Sequence, residues 1–345
     1  MTGPTGDEPS RPGGDDREGS PAAGEPVRTD GAEAPARPGT RTFTIEGRHA
    51  PGLFVVGWIA TILGLGVVAI GLGSGGSIPA PLFVVGILVL ALGLLAGAGS
   101  QAIERRASGA SFVGPSPFLL FAAVIPTYIL LLIGILFVLS VAGVEPGAPV
   151  ATLLSEIVLL GVYLGLIRLT VVGTGGASWA ELGLRRPEER SAVAFGVIFA
   201  IPLVFISGLI AVLLVQVFPA PPSPLPEAHD RLGMLANLLA ASVVAPIGEE
   251  LFFRGYATTA WLRTMGPWAA IIRGGLFFAF AHVITVSGPT FGEAAGQAFV
   301  AFAVRVPVAL ALGWLFVRTR SVYPTIALHA TFNGLPLLLA LAGAG

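Results

Sequence analysis

The sequence predicts an all-α fold: a polytopic transmembrane helix bundle of about nine spans, roughly eight to ten, behind a disordered N-terminal tail. Three observations predict it. The chain has 345 residues, is 54% hydrophobic and is only 11% charged, where a soluble domain carries about 25% charge. Apolar runs of 18 or more residues recur along it, and ~20 such residues cross the hydrocarbon core of a bilayer. The arginines, which make up all 19 basic residues, gather in alternate loops between those runs, as orientation in a membrane demands. Composition also excludes some chemistry. There are no cysteines, so disulfides, thiolate metal sites and cysteine nucleophiles are ruled out. The formal net charge of −1 says little, because it sums a polar tail and a nearly neutral bundle; no nucleic acid is expected as a partner.

Residues 1–50 ("MTGPTGDEPSRPGGDDREGS…") are rich in Gly, Pro, Asp, Glu and Arg and lack apolar periodicity. They cannot bury a core, so a disordered polar tail is expected. With about fifty polar residues ahead of the first apolar run, no cleaved signal peptide is expected. Residues 51–174 read as an N-terminal transmembrane extension, with spans near 53–72, 81–98, 118–141 and 150–172. Residues 175–345 hold five more, near 192–218, 232–262, 267–286, 294–317 and 322–341. The sixth span is long for one straight crossing, and Pro246 marks the place for a break.

Arg41 and Arg48 precede span one; Arg105 and Arg106 separate two from three; Arg185, Arg186 and Arg190 separate four from five. Arg263 follows span six, and Arg318 and Arg320 lie between eight and nine. The loops "GSGGSIP", "AGVEPGAP", "PAPPSPLPEAHD" and "SGPTFGEAA" contain no arginine. This alternation implies a multi-pass protein of the cell membrane with a cytoplasmic N-terminus and nine spans. The connector "ASWAELGLRRPEER" carries Trp179, Leu182 and Leu184 among its charges. It reads equally as a short interfacial helix or as an ordinary loop with arginine anchors.

An ionised side chain at the bilayer centre costs at least ~2.5–3.5 kcal/mol, so the few present need a purpose. Glu249, Glu250 and Arg254 fall in span six, Arg273 and His282 in seven, Arg305 in eight, His329 and Asn333 in nine, and Glu156 in four. Glu250 and Arg254 are four residues apart and can pair on one helix face. Phe278 and His282 have the same spacing, as do His329 and Asn333, so each pair points one way. Counting ~1.5 Å per residue from the cytoplasmic ends, Glu249 lies ~20 Å deep, His282 ~22 Å, His329 ~12 Å and Asn333 ~18 Å. Three helices thus deliver polar groups to overlapping depths, which implies one buried site. A carboxylate and an imidazole can deprotonate a water and return its proton to a leaving amine. A second imidazole and an amide can donate hydrogen bonds to an oxyanion. Together they suffice for peptide hydrolysis through activated water. The bland alternatives remain open: Glu250 with Arg254 as a buried ion pair that fixes register, and a histidine as a helix–helix hydrogen bond. Arg273 lies close enough to an end to snorkel. Arg305 needs a partner, and Glu156, Glu250 or a substrate carboxylate all qualify.

The motifs "EELFFR" (249–254), "FAFAH" (278–282) and "HATFN" (329–333) occur in order, and together resemble the EExxxR, FxxxH and HxxxN motifs of the CPBP family. These are CAAX-protease and bacteriocin-processing membrane proteins, also described as type II CAAX prenyl endopeptidases or Abi proteins. The resemblance covers roughly 175–340, including the "WAELGLRR" segment. It implies a helical bundle with a cavity open to the cytoplasm and to lipid. It implies that Glu249 and His282 activate water, that His329 and Asn333 form the oxyanion hole, and that Glu250, Arg254 and Phe278 support the site. Zinc is possible on Glu249, His282 and His329, but the chain lacks HExxH, and a mechanism without obligate metal is favoured. The expected partners are the lipid bilayer and a membrane-associated peptide or protein substrate. Two other functions remain: a non-catalytic scaffold or bacteriocin-immunity protein that binds a partner in the same cavity, and a transporter. A transporter implies an internal repeat, and the two halves show none.

Overall fold

The computed structural model describes residues 44–73 and 78–343. The expected disordered tail lies outside the described residues as far as residue 43. Among the described residues the fold is all helical. The helices are α1 (Pro51–Gly73), α2 (Ala80–Ala107), α3 (Pro117–Val141), α4 (Pro149–Val172), α5 (Ser191–Leu214), α6 (Arg231–Leu262), α7 (Pro267–Ala281), α8 (Phe291–Thr319) and α9 (Val322–Gly343). Eight of them are long and apolar enough to cross a membrane, so the chain is a multi-pass membrane protein. The exception is α7, whose 15 residues reach only ~22 Å against a core of ~30 Å.

Local signals set the helix starts. Pro117, Pro149 and Pro267 open their helices, where a missing N–H costs nothing. Ser116, Asp230 and Thr290 cap α3, α6 and α8 by accepting the backbone N–H of Leu119, Gly233 and Glu293. Arg231 begins α6 at the end opposite Arg263, a basic residue that the loop-by-loop arginine pattern does not accommodate.

Two expectations are corrected. The seventh span was expected to reach residue 286, but α7 stops at Ala281 and His282 caps it. The ring explains the stop: His282 Nδ1 lies 2.8 Å from the Phe278 carbonyl, one of the terminal acceptors that a helix leaves unsatisfied. Turns follow instead of helix. The sixth span does not break at Pro246. It runs unbroken for 32 residues, with π-helical turns at Ala240–Val244 and Glu250–Thr258 on either side of the proline. Wider turns of this kind absorb an irregularity without ending the helix, and they cluster at functional sites.

The described residues from Ile45 onward form one compact unit. Helix α6 is at its centre, packed against α4, α7, α8 and α9. All nine residues of Glu250–Thr258 are buried. An aromatic cluster from four helices surrounds this turn: Phe118 and Phe121 of α3, Tyr163 of α4, Phe252, Phe253, Tyr256 and Trp261 of α6, and Phe277 and Phe278 of α7. Rings that meet edge to face add to the burial of their area. The connector after α4 is not an interfacial helix. It forms turns and packs on the end of α6. Leu182 is buried and its carbonyl lies 2.7 Å from where a Cβ on Gly255 would sit, so only glycine fits there. Arg263 ties the connector down through the Gly176 carbonyl at 2.9 Å and Glu181 at 2.6 Å.

Candidate active site

Three helices bring the motif residues together. Helix α6 supplies both glutamates and Arg254 from its π-helical stretch and the turn before it. Helix α7 ends at the site and so presents His282 at its tip. Helix α9 supplies His329 and Asn333 from one face.

The two adjacent glutamates occupy different surroundings. Glu250 is fully buried. Its Oε1 accepts from Arg254 Nη1 at 2.9 Å and from His329 Nδ1 at 2.9 Å. Arg254 also donates to the Ala309 carbonyl of α8 at 3.3 Å, and its guanidinium lies 4.2 Å from the centroid of the Phe278 ring. A charge sealed this deeply persists only when paired and hydrogen-bonded, and this pair is both. Glu249 is partly open, with 14% of its side chain exposed, and His282 is 25% exposed. Glu249 Oε2 lies 3.5 Å from His282 Nε2 and 3.8 Å from His329 Nε2. Those separations are too long for good direct hydrogen bonds.

The second partners set the tautomers. A carbonyl accepts only, so His282 donates its Nδ1–H to Phe278 and turns Nε2 toward Glu249. A carboxylate also accepts only, so His329 donates Nδ1–H to Glu250 and turns Nε2 toward Glu249. Phe278 is the common wall. Its ring contacts Arg254, lies 4.5 Å from the His282 ring and meets the His329 ring edge-on at 5.6 Å. Asn333 shares the His329 face, but its Nδ2 donates to the Ala241 carbonyl of α6 at 2.9 Å. One N–H of that amide is therefore committed to holding α9 on α6.

One neighbour escaped the sequence reading. Tyr163 of α4 is buried, and it and half-buried Glu156 both lie in the field of Glu249. The signal for Tyr163 was available, because it is a polar group in an apolar span seven residues, or about two turns, from Glu156. Arg305 also lies in the field of Glu249 but forms no ion pair with Glu156 or Glu250 among the described residues. Arg273 packs over Phe118 and Trp261, away from the motif residues.

Zinc is the metal that the resemblance admits, on Glu249, His282 and His329. Among the described residues no group of three His, Cys, Asp or Glu side chains is placed to hold a metal ion.

No curated protein and no solved structure matches the chain. A family model does, over residues 231–335, and its description is type II CAAX prenyl endopeptidase Rce1-like. That segment carries all three motifs and every residue of the converging polar set. Residues 231–335 are accordingly similar to the type II CAAX prenyl endopeptidase Rce1-like family, a similarity consistent with the CPBP motifs.

Proposed function

We propose that the protein is an intramembrane endopeptidase that hydrolyses a peptide bond of a membrane-associated substrate with water activated by Glu249 and His282. One observation carries this reading: of two adjacent glutamates, Glu250 is locked to Arg254 and His329, while Glu249 stays partly open and faces two imidazole nitrogens. A water that donates one hydrogen to Glu249 Oε2 and the other to His282 Nε2 has its lone pairs free for attack. As its oxygen bonds to the scissile carbonyl carbon, one proton passes to Glu249. The carbonyl oxygen becomes an oxyanion, stabilised by His329 and the remaining N–H of Asn333. His329 donates from Nε2 only as an imidazolium, because its Nδ1–H is already given to Glu250. Collapse of the intermediate breaks the C–N bond, and the proton held by Glu249 leaves with the amine.

No step uses a metal, so cleavage is expected to survive a chelator at full rate. A substrate that is a lipidated or otherwise membrane-anchored peptide reaches the site from within the bilayer. The arginine pattern supports a cytoplasmic N-terminus in the cell membrane, which a reporter fused there tests by its accessibility.

The decisive comparison uses Glu249→Gln in proteoliposomes or in a deletion strain whose membrane peptides are read by mass spectrometry. Its cleavage is expected to be lost with unchanged expression and melting temperature. Wild-type processing by Glu249→Gln would favour a binding scaffold over an enzyme.

A further inference from the structure

We propose that Arg305 is an anion-binding subsite and receives a carboxylate of the substrate peptide; the proposal rests on the endopeptidase reading. Arg305 lies midway along α8 (Phe291–Thr319), 14 residues from either end, so both ends are ~21 Å away. That is the depth of Glu249, counted along α6. An ionised side chain there is costly unless a partner offsets it. The bundle provides one for Arg254, which has a carboxylate, a carbonyl and an aromatic face. It provides much less for Arg305. Nη1 donates to the Ala301 carbonyl of its own helix at 2.7 Å, which neutralises no charge. None of the ion pairs among the described residues includes it. The side chain is half-buried, not sealed, so its remaining N–H groups are open to a bound molecule.

Position and shape restrict that molecule. Arg305 and Glu249 lie at matching depths, and Glu249 is within electrostatic reach of Arg305, so an anion held there feels the charge of the proposed base. A guanidinium presents a planar fork that matches a carboxylate with two parallel hydrogen bonds. A lipid phosphate has the same charge, but headgroups lie ~15 Å from the midplane, outside the hydrocarbon core. The remaining sources are the peptide's free C-terminus and an Asp or Glu side chain. Either one would explain why a costly charge is kept where the bundle does not pair it.

The test measures binding of three probes to the purified full chain in detergent: N-acetyl-Leu-Leu-Leu with a free carboxylate, the same peptide as its amide, and N-acetyl-Leu-Asp-Leu amide. The wild type is expected to bind at least one carboxylate peptide about tenfold more tightly than the neutral amide. The pattern tells a C-terminal from a side-chain carboxylate. Arg305→Gln is expected to abolish the preference, and Arg305→Lys to keep part of it, which separates lost charge from lost fold. Equal binding of all three peptides, binding of none, or a preference that survives in Arg305→Gln overturns the assignment. Glu249→Gln distinguishes the two readings. It is expected to lose cleavage but keep or strengthen the carboxylate preference, so the subsite stands even if hydrolysis does not, and the converse also holds.

Discussion

The α1–α2 pair and the α6–α7–α9 junction solve the same packing problem with different chemistry. Helix α1 buries three residues, Gly57, Gly64 and Gly71, spaced seven apart. At Gly64 a Cβ would collide with the backbone of Leu90, so the two helices touch backbone to backbone. The rest of α1 is largely exposed, with Leu63, Leu65, Ile70 and Leu72 open to lipid. Lipid tails are as apolar as these side chains, so close contact between small residues drives association. At the junction, Glu250–Thr258 is buried on every side, and charged groups meet large aromatic rings. Contact in the first region needs small residues and no charge. In the second, charge is retained despite its cost, and the surrounding rings and carbonyls exist to hold it in place.

That contrast can be broken at its strongest point first. His282→Ala removes the ring that ends α7 and faces Glu249. Cleavage is expected to fall by about 10²–10⁴-fold with the melting temperature nearly unchanged, because His282 is partly open. A rate close to wild type would remove the tip of α7 from the chemistry. Arg254→Ala has the opposite signature. It leaves Glu250 charged and sealed, which costs about 3–5 kcal/mol, read as a large fall in melting temperature in detergent. The double variant Glu250→Gln with Arg254→Met is expected to recover part of that loss.

Gly64→Leu tests the other region. Overpacking costs about 1–3 kcal/mol, so α1 is expected to separate from α2, as an engineered cysteine pair across the two helices can report. Peptide cleavage by the folded fraction is expected to stay at the wild-type rate, and a matching fall in cleavage would mean that the α1–α2 contact and the junction are energetically coupled. The smallest effect is at the connector. The N–H and hydroxyl of Ser178, with Arg263, hold the Glu181 carboxyl below the usual carboxylate range. A depressed folded-state value means that the stabilisation is complete above the unfolded value of ~4.3 and is lost as pH falls through the folded one. Glu181 is half-exposed, so Glu181→Gln should cost no more than ~1 kcal/mol at pH 7. The difference from wild type should vanish in acid.

The helical membrane fold was legible in the sequence, and so was the gathering of its polar residues. Polar residues inside apolar spans are rare, and each has to be explained by cost alone; Glu249, Glu250, Arg254, His282, His329 and Asn333 stood out for that reason. Depth arithmetic then placed them together. Less legible was the end of α7, because the apolar run continues past His282 to Val286 and composition marks no stop. The π-helical turns of α6 were invisible, since no residue type specifies them. Phe278 was marked by its spacing from His282, but only the structure placed its ring against Arg254, His282 and His329 at once.

By itself the sequence determined that the chain crosses a membrane many times and that its few intramembrane charges each needed a compensating partner or purpose. Burying apolar runs and partnering charges are free-energy demands that hold for any arrangement of the helices. Only the tertiary structure decided which of the two adjacent glutamates is sealed and which is open. Adjacent residues point roughly 100° apart on a helix, so α7, α8 and α9 close over Glu250 and leave Glu249 at the edge. It also decided that Arg254 is paired and Arg305 is not, because pairing depends on which helix faces which.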